Sequence, residues 1–177
     1  MPFILKAQQP ELYEAGCLVI KYPGILGRLG SRPVRSVISV GCGSGEEAYS
    51  IAMVARSIGL TDLNILGIDV VPENIEAANR AVYPVKAAGG ETRRFIDTIP
   101  DEYRRYFTQT EDPNCWRIGE SVRRMVTFAE GDARVMELSG RQAEVIVCRY
   151  LLDNIDMEMQ ETLERKFREA APVVVFE

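Results

Sequence analysis

The amino-acid sequence predicts an α/β fold with a doubly wound parallel sheet. Short apolar runs rich in β-branched residues alternate with segments of helical periodicity, a glycine cluster joins the first run to the first such segment, and acidic residues follow the next runs. The chain has 177 residues, of which 46% are hydrophobic. One core and one main domain are therefore the simplest organisation.

Five segments are predicted to be strands of this sheet. Each is a short apolar run of the kind that parallel sheets bury. In chain order they are SVISV (36–40), LNILGID (63–69), MVTFAEGD (125–132), AEVIVCRYL (143–151) and PVVVF (172–176). The sheet is thus predicted to be truncated after the fifth strand. We expect its last edge to be short or covered by a partner chain, which would allow oligomerisation through that edge.

Helices are predicted between these strands. Apolar residues recur at helical spacing after the glycines, and Gly59 stands where a helix stop is expected. PENIEAANRAVY (72–83) opens with a proline and acidic residues, and it places Val82 on its apolar side. DMEMQETLERKFREAA (156–171) predicts a further helix before the last strand.

The chain also predicts an N-terminal segment and an insertion. Residues 1–35 are expected to form a short helix, over 11–22, and a loop rich in Gly, Pro and Arg. Residues 36–177 are expected to form the α/β domain. Within it, residues 84–124 break the alternation of strand and helix, and the hairpin-like pattern in CWRIG predicts a small inserted β-subdomain.

A basic patch is predicted within the insertion. It consists of Arg93, Arg94, Arg104 and Arg105, in a chain whose formal net charge is −5. Such a patch favours an acidic protein or peptide as partner, although a solvated helix face is the alternative interpretation. The neighbouring aromatic residues of YRRYF are expected to fix the insertion to the core.

The composition excludes several kinds of function. There is no histidine, so a histidine general base and the commonest metal ligand are absent, and the four cysteines show no C-x-x-C spacing for zinc. The net charge of −5 disfavours nucleic acid. The apolar run at the N-terminus is too short for a signal sequence or a membrane span. We therefore expect a cytoplasmic protein without membrane insertion, metal or bound nucleic acid.

The glycine cluster predicts a ligand site next to two acids. Gly41, Gly43 and Gly45 lie between a strand and a helix, and GSGEEA also matches the dinucleotide pattern G-x-G-x-x-A. A pyrophosphate here would be repelled by Glu46 and Glu47 by about 1–4 kcal/mol at an effective dielectric of about 20. S-adenosylmethionine has no phosphate and carries two cationic groups. It is therefore favoured over NAD, although the acids would also stabilise the helix dipole without any ligand.

Two further acids end neighbouring strands. Asp69 ends the second strand, where a carboxylate can accept both ribose hydroxyls of a nucleoside cofactor. Asp132 follows the third strand, within reach of the adenine edge in this topology. Either residue is also compatible with simple turn chemistry. Taken together, three strand ends are expected to line one ligand.

These residues resemble a known family. GCGSGEEAYSIAM is similar to the GEEPYS motif of the CheR-type chemotaxis methyltransferases. GIDVVPENIEAANRAVYP, YRRYF, VRRMVTFAEGD and VIVCRYLL resemble later parts of that family in the same order, over residues 36–156. The resemblance implies a Rossmann-like methyltransferase core with an inserted β-subdomain, and S-adenosylmethionine as cofactor. It further implies methylation of carboxylates in a protein substrate.

The resemblance also implies roles for individual residues. Glu47 would hold the methionyl end of the cofactor, Asp69 its ribose, and Asp132 with Ala133 its adenine. Arg149 stands at the arginine of the family's CRN motif. Near the mouth of the predicted cleft it would steer an acidic acceptor, although a structural salt bridge or a surface charge is the alternative interpretation. Tyr150 replaces the Asn of that motif, and it would either position the acceptor or contribute to packing.

Three functions remain as hypotheses. The first is a methyltransferase with a carboxylate acceptor. The second is a non-catalytic cofactor-binding or interaction module, because Tyr150 departs from the motif and residues 1–35 do not resemble the family's N-terminal helical domain. The third is a nicotinamide-dependent oxidoreductase, which rests on G-x-G-x-x-A alone.

Overall fold

Residues 3–6, 34–84, 101–138, 143–148, 151 and 155–176 are described by the structure, which is a computed structural model. The strands and helices are, in chain order, β1 (Phe3–Lys6), β2 (Ser36–Val40), α1 (Glu46–Ser57), β3 (Asn64–Asp69), α2 (Pro72–Arg80), β4 (Val82–Pro84), α3 (Asp101–Arg104), β5 (Phe107–Gln109), β6 (Cys115–Ile118), α4 (Glu120–Arg123), β7 (Val126–Glu130), β8 (Val145–Cys148), α5 (Met157–Ala170) and β9 (Val173–Phe176). They form one six-stranded sheet and one three-stranded sheet.

The main sheet has the strand order β1-β9-β8-β2-β3-β7, and all neighbouring strands are parallel. β2 lies in its interior, where Val37 is in register with Val145 on one side and with Ile65 on the other. Because parallel neighbours end at the same edge of a sheet, the loops that follow β2, β3 and β7 lie side by side.

Apolar cores cover both faces of the main sheet. Successive residues of a strand point to opposite faces, so Val37 belongs to one core and Ile38 to the other. The first core contains α1 and buried side chains between residues 81 and 126, and the second contains Leu163 and Phe167 of α5. The predicted doubly wound α/β fold is therefore confirmed.

β1 corrects the prediction for the sheet edge. The sequence predicts only helix and loop for residues 1–35, yet β1 pairs with β9 in parallel, from Phe3 opposite Val173 to Lys6 opposite Phe176. β9 is the last strand along the described chain, as predicted, but β1 and β8 flank it on both sides, so it offers no free edge to a partner chain. A four-residue strand gains its hydrogen bonds from a distant neighbour, which a local pattern does not reveal. The helix predicted over 11–22 lies outside the described residues.

α2 is shorter than predicted. It ends at Arg80, because Ala81 adopts a left-handed conformation with φ of 54°. Val82 and Tyr83 then enter β4 instead of continuing the helix, and they pair with Arg117 and Trp116 of β6. β-branched and aromatic side chains fit a strand well, so the partner strand supplied by the insertion overrides the helical pattern.

The insertion forms a small antiparallel sheet in the order β4-β6-β5, which confirms the predicted β-subdomain. Tyr103, Tyr106 and Phe107 are buried in the first core and hold the subdomain against α1, as predicted. Arg104 and Arg105 of the predicted basic patch are exposed. The other two arginines of that patch lie outside the described residues.

The helices differ in how much of their surface is buried: α1 is buried all round over residues 48–55, whereas α5 buries only Leu163 and Phe167. α5, with 14 residues, is the longest helix in the described ranges, and the Asp156 carboxylate caps its first turn by accepting a hydrogen bond from the Met159 N–H at 2.9 Å. In the part of the chain that the structure describes, no helix combines the length and the apolar character needed to span a membrane.

Candidate cofactor-binding site

The loop between β2 and α1 is built from glycines with positive φ. Gly43 has φ of +54°, and a Cβ added there would meet no atom within 4 Å, so the surface above its backbone is open. Gly45 has φ of +89°, and a Cβ there would lie 2.8 Å from the Phe128 ring and 3.0 Å from Ala78. Glycine is thus required at Gly45 by both conformation and packing. A ligand can approach the backbone closely at Gly43.

Asp69 fastens this loop to the end of β3. Its Oδ2 accepts a hydrogen bond from the Gly43 N–H at 2.8 Å, and its Oδ1 accepts bonds from the Val71 N–H at 2.9 Å and from Asn74 Nδ2 at 3.1 Å. The residue is only 8% exposed. These contacts use three of the roughly four lone-pair directions of the carboxylate. Asp69 is therefore a turn residue and a loop anchor at the edge predicted for the ribose.

Glu47 lies in the first turn of α1, directly after the glycine loop. Its Oε1 accepts a hydrogen bond from the Ser39 hydroxyl of β2 at 2.7 Å. Ser39 is fully buried. Ser39 is not among the residues predicted for the site. Its signal in the sequence is a polar residue between the apolar residues Ile38 and Val40, and the structure supplies its partner.

Glu46 faces the β-subdomain side of the loop. Burial raises the pKa of its carboxyl, and a hydrogen bond with Ser44 partly opposes that shift. The Tyr83 hydroxyl of β4 donates to the Ser44 carbonyl oxygen at 2.8 Å. Burial, followed by the charge of Glu46, raises the pKa of Tyr83 well above its usual value. The β-subdomain therefore contacts the glycine loop directly.

Two buried thiols lie within the field of these carboxylates. Burial, then the charges of Asp69 and Glu47, raise the pKa of Cys42 to about 12. Burial and then the charge of Glu47 raise the pKa of Cys148 to about 12 as well. Both thiols stay neutral at pH 7, so neither is an activated nucleophile. Both side chains therefore pack as small buried hydrophobic groups.

Asp132 follows β7 at the same edge of the sheet and forms an ion pair with Arg134. Arg134 donates from Nε to both carboxylate oxygens at 2.9 Å, and this pairing lowers the pKa of Asp132. The side chain of Asp132 is 24% exposed. Lys166 of α5 donates to the carbonyl oxygen of the buried Ala133 at 2.8 Å, which fixes the loop after β7 to α5.

An apolar surface adjoins Asp69. Val70 is 57% exposed and Val71 is 41% exposed, although both are large apolar residues. Neither valine is among the residues predicted for the site. The signal for them was the pair of valines directly after the acid that ends β3. A flat apolar group, such as a nucleobase, would cover part of this surface.

The predicted acceptor residues Arg149 and Tyr150 lie outside the described residues. Leu151, which follows them, is described, and its Cβ lies 3.4 Å from the position that a Cβ on Gly41 would occupy. The chain therefore returns to the glycine loop directly after these two residues.

The fold is that of the Rossmann-like methyltransferase class. The family model "CheR methyltransferase, SAM binding domain" matches residues 25–173, which is more than half of the chain. The chain therefore belongs to this family, and S-adenosylmethionine (SAM) is its cofactor. The resemblance found in the sequence is confirmed.

Curated relatives agree with this family. The probable biofilm formation methyltransferase WspC of Pseudomonas putida is 31% identical over 136 residues, which cover 75% of this chain and 30% of the relative. A chemotaxis protein methyltransferase of Campylobacter jejuni is 36% identical over 77 residues, covering 44% of this chain and 27% of the relative. One of Listeria innocua is 28% identical over 141 residues, covering 79% of this chain and 50% of the relative. The matched region thus spans half or less of each relative's length.

Proposed function

We propose that this chain binds S-adenosylmethionine at the loops after β2, β3 and β7, and transfers its methyl group to a carboxylate of an acidic protein or peptide. One observation carries the proposal. The open glycine loop is joined to the acid at the end of β3 by the hydrogen bond from the Gly43 N–H to Asp69 Oδ2 at 2.8 Å, and Glu47 follows in the next helical turn.

The charge at this edge supports a cationic cofactor. Burial is the largest cause of the raised pKa of the Cys42 thiol, and the charges of Asp69 and Glu47 add to it, so the two carboxylates act on the same small region. A pyrophosphate in this region would be repelled, whereas an ammonium and a sulfonium group would be attracted. The open surface above Gly43 leaves room for such a ligand beside the backbone.

In the proposed binding mode, three loops contact different parts of the cofactor. Glu47 binds the ammonium group of the methionyl moiety, Asp69 accepts from a ribose hydroxyl through its remaining lone-pair direction, and Asp132 with Ala133 borders the adenine. The exposed valines after Asp69 supply an apolar surface for the base. Since the carboxylate of Asp69 already accepts three hydrogen bonds from the protein, it is held in place before any ligand arrives.

A carboxylate acceptor fits the chemistry that this chain offers. When bound, S-adenosylmethionine supplies an electrophilic methyl group on a positively charged sulfur. A carboxylate with an ordinary pKa of about 4 is already ionised at neutral pH and needs no general base. This suits a chain without histidine. The residues of the chain then have to orient the two reactants and keep water away from them.

The acceptor side of the site remains a proposal from the sequence. Arg149 steers the acidic acceptor, and Tyr150 contacts it. The return of the chain to the glycine loop at Leu151 supports a location next to the cofactor. The exposed Arg105 adds positive charge on the β-subdomain, which favours an acidic partner, whereas the exposed Arg104 is paired with Asp101 at 3.0 Å.

Cofactor binding is tested by isothermal titration calorimetry with S-adenosylhomocysteine and, separately, with NAD. We expect the first to bind and the second to give no heat at the same concentration. The double variant Glu47→Gln/Asp69→Asn is expected to lose most of the affinity for S-adenosylhomocysteine. Unchanged affinity in this variant would contradict the proposed contacts.

Methyl transfer is tested with methyl-labelled S-adenosylmethionine and peptides that contain glutamate. Peptides in which glutamine replaces every glutamate are the matched control. We expect base-labile label on the glutamate peptides only, because methyl esters hydrolyse in alkali. Binding without any label transfer would instead favour the non-catalytic module, for which the replacement of Asn by Tyr150 is the motivation.

A further inference from the structure

A buried hydroxyl group points at the carboxylate that we assign to the methionyl ammonium. Ser39 is fully buried, and its Oγ–H donates to Oε1 of Glu47 at 2.7 Å. A hydroxyl inside a strand that is covered on both faces needs a hydrogen-bond partner, because burying it without one costs free energy. The partner of Ser39 is a charged side chain of the following helix.

The two partners are held on opposite sides of the glycine loop. Ser39 is fixed by the sheet, where it is in register with Gly67 of β3 and with Val147 of β8. Glu47 is fixed by the first turn of α1. The terminal torsion of a glutamate has broad preferences, so a hydrogen bond to one oxygen restricts the orientation of both.

We propose that Ser39 is a positioning residue, whose hydroxyl fixes the Glu47 carboxylate in the orientation that accepts the ammonium group of the cofactor. This inference rests on the proposed function and extends it to a residue of the sheet core. Because the carboxylate is ordered before the ligand binds, less conformational entropy is lost on binding. The recognition of the amino-acid end of the cofactor thereby depends on β2 as well as on α1.

The test compares two ligands by calorimetry. One is S-adenosylhomocysteine, and the other is its analogue in which hydrogen replaces the α-amino group. We expect Ser39→Ala to lower the affinity for S-adenosylhomocysteine about 5- to 20-fold, as for the loss of a hydrogen bond to a charged group. The affinity for the analogue should change by less than about 2-fold. A merely structural role would weaken both ligands alike.

Ser50→Ala is the matched control. Ser50 is also buried, and its hydroxyl donates to the Glu46 backbone carbonyl at 2.7 Å rather than to Glu47. We expect this variant to bind both ligands like the wild type. Ser39→Cys keeps the side-chain shape with a weaker donor, and it carries the same comparison should thermal denaturation show that Ser39→Ala does not fold.

A double-mutant cycle with Glu47→Gln completes the test. In the Glu47→Gln background we expect Ser39→Ala to cause no further loss. The positioning role is overturned if Ser39→Ala still lowers the affinity in the Glu47→Gln background. It is also overturned if Ser39→Ala lowers the affinity equally for the two ligands. Wild-type binding that Ser39→Ala leaves unchanged overturns only this role, whereas failure of the wild type to bind S-adenosylhomocysteine overturns the proposed function and this role with it.

Discussion

Asp69 combines an architectural role and a proposed binding role in one carboxylate. It joins the glycine loop to β3 through the Gly43 N–H, and it starts the turn into α2 through the Val71 N–H. The alternative interpretations of this residue as a turn former and as a ribose ligand are therefore compatible. A change at Asp69 is expected to affect both folding and binding.

Asp69→Asn tests this dual role. The amide keeps one oxygen but turns a donor toward N–H groups that now donate to the carboxylate, so a hydrogen bond is lost. We expect affinity for S-adenosylhomocysteine to fall at least about 10-fold and the free energy of unfolding to fall by about 1–3 kcal/mol. Calorimetry and urea denaturation measure the two effects.

Asp62→Asn is the control for the charge change. Asp62 is exposed and precedes β3 at the end of the strand opposite Asp69. In this variant, the free energy of unfolding and the binding free energy of S-adenosylhomocysteine should both stay within about 0.5 kcal/mol of the wild-type values, as is usual for surface substitutions. Equal effects of the two variants would mean that net charge, rather than the contacts of Asp69, controls binding.

The buried thiols predict how stability depends on pH. Cys148 has an ordinary pKa of 9.0 when unfolded and about 12 when folded. The stability that the protonated Cys148 thiol contributes to the folded state is fully present below pH 9. It is lost progressively as the pH rises toward 12, because the thiol of the unfolded chain loses its proton first. At pH 10 the loss is about 1.4 kcal/mol. Urea denaturation measures the free energy of unfolding at pH 8 and at pH 10. We expect this free energy to decrease less between the two pH values for Cys148→Ala than for the wild type. Equal decreases in the two proteins would contradict the raised pKa of Cys148.

At the level of elements, the start of α1 depends on a close contact between helix and sheet. Gly45 precedes the helix in a left-handed conformation, and Phe128 of β7 and Ala78 of α2 occupy the space that a side chain would need. Phe128 in turn makes an edge contact with Tyr49, with ring centroids 5.4 Å apart. The glycine loop is thus set by packing beneath it as well as by its own sequence.

Gly45→Ala is expected to destabilise the protein more than Gly59→Ala. Both positions have positive φ, +89° and +84°, so both variants carry about 1–2 kcal/mol of backbone strain. Only at Gly45 does the new Cβ meet other atoms, whereas none lies within 4 Å at Gly59. We expect an additional loss of about 1–3 kcal/mol at Gly45, measured by urea denaturation. Equal losses would show that the contact with Phe128 relaxes without cost.

The elements also show what the sequence could predict. The five main-sheet strands predicted from residue 36 onward are confirmed, because continuous apolar runs are a local signal of buried parallel strands. β1 and β4 could not be predicted in this way, because they have only four and three residues, too few for a clear local pattern. For the site, the glycine loop and the acids were visible as a motif. Ser39 and the Arg134–Asp132 pair required the three-dimensional arrangement.

At the level of the whole molecule, the main sheet is completed by the N-terminal strand. β1 occupies the position beside β9 that a fifth-strand edge would otherwise leave open. An uncovered β9 would present unpaired backbone groups next to an apolar strand, and such edges promote association between chains. β1 therefore protects this edge in addition to extending the sheet.

Removal of residues 1–6 tests this protective role. We expect the shortened chain to unfold at lower urea concentration and to associate in a concentration-dependent way, detected by size-exclusion chromatography with light scattering. Lys6→Ala, which leaves β1 in place, serves as the control. A shortened chain with the mass and stability of the full chain would contradict the role assigned to β1.

The pairing of β1 with β9 also has a kinetic consequence. Phe3 and Val173 meet across a strand pair although they stand near opposite ends of the sequence. Closing such a long loop is entropically costly, so contacts of this kind form late in folding and slow it. During synthesis on the ribosome, β1 cannot pair with β9 until β9 has emerged. Until then, β1 of the nascent chain lacks its partner strand.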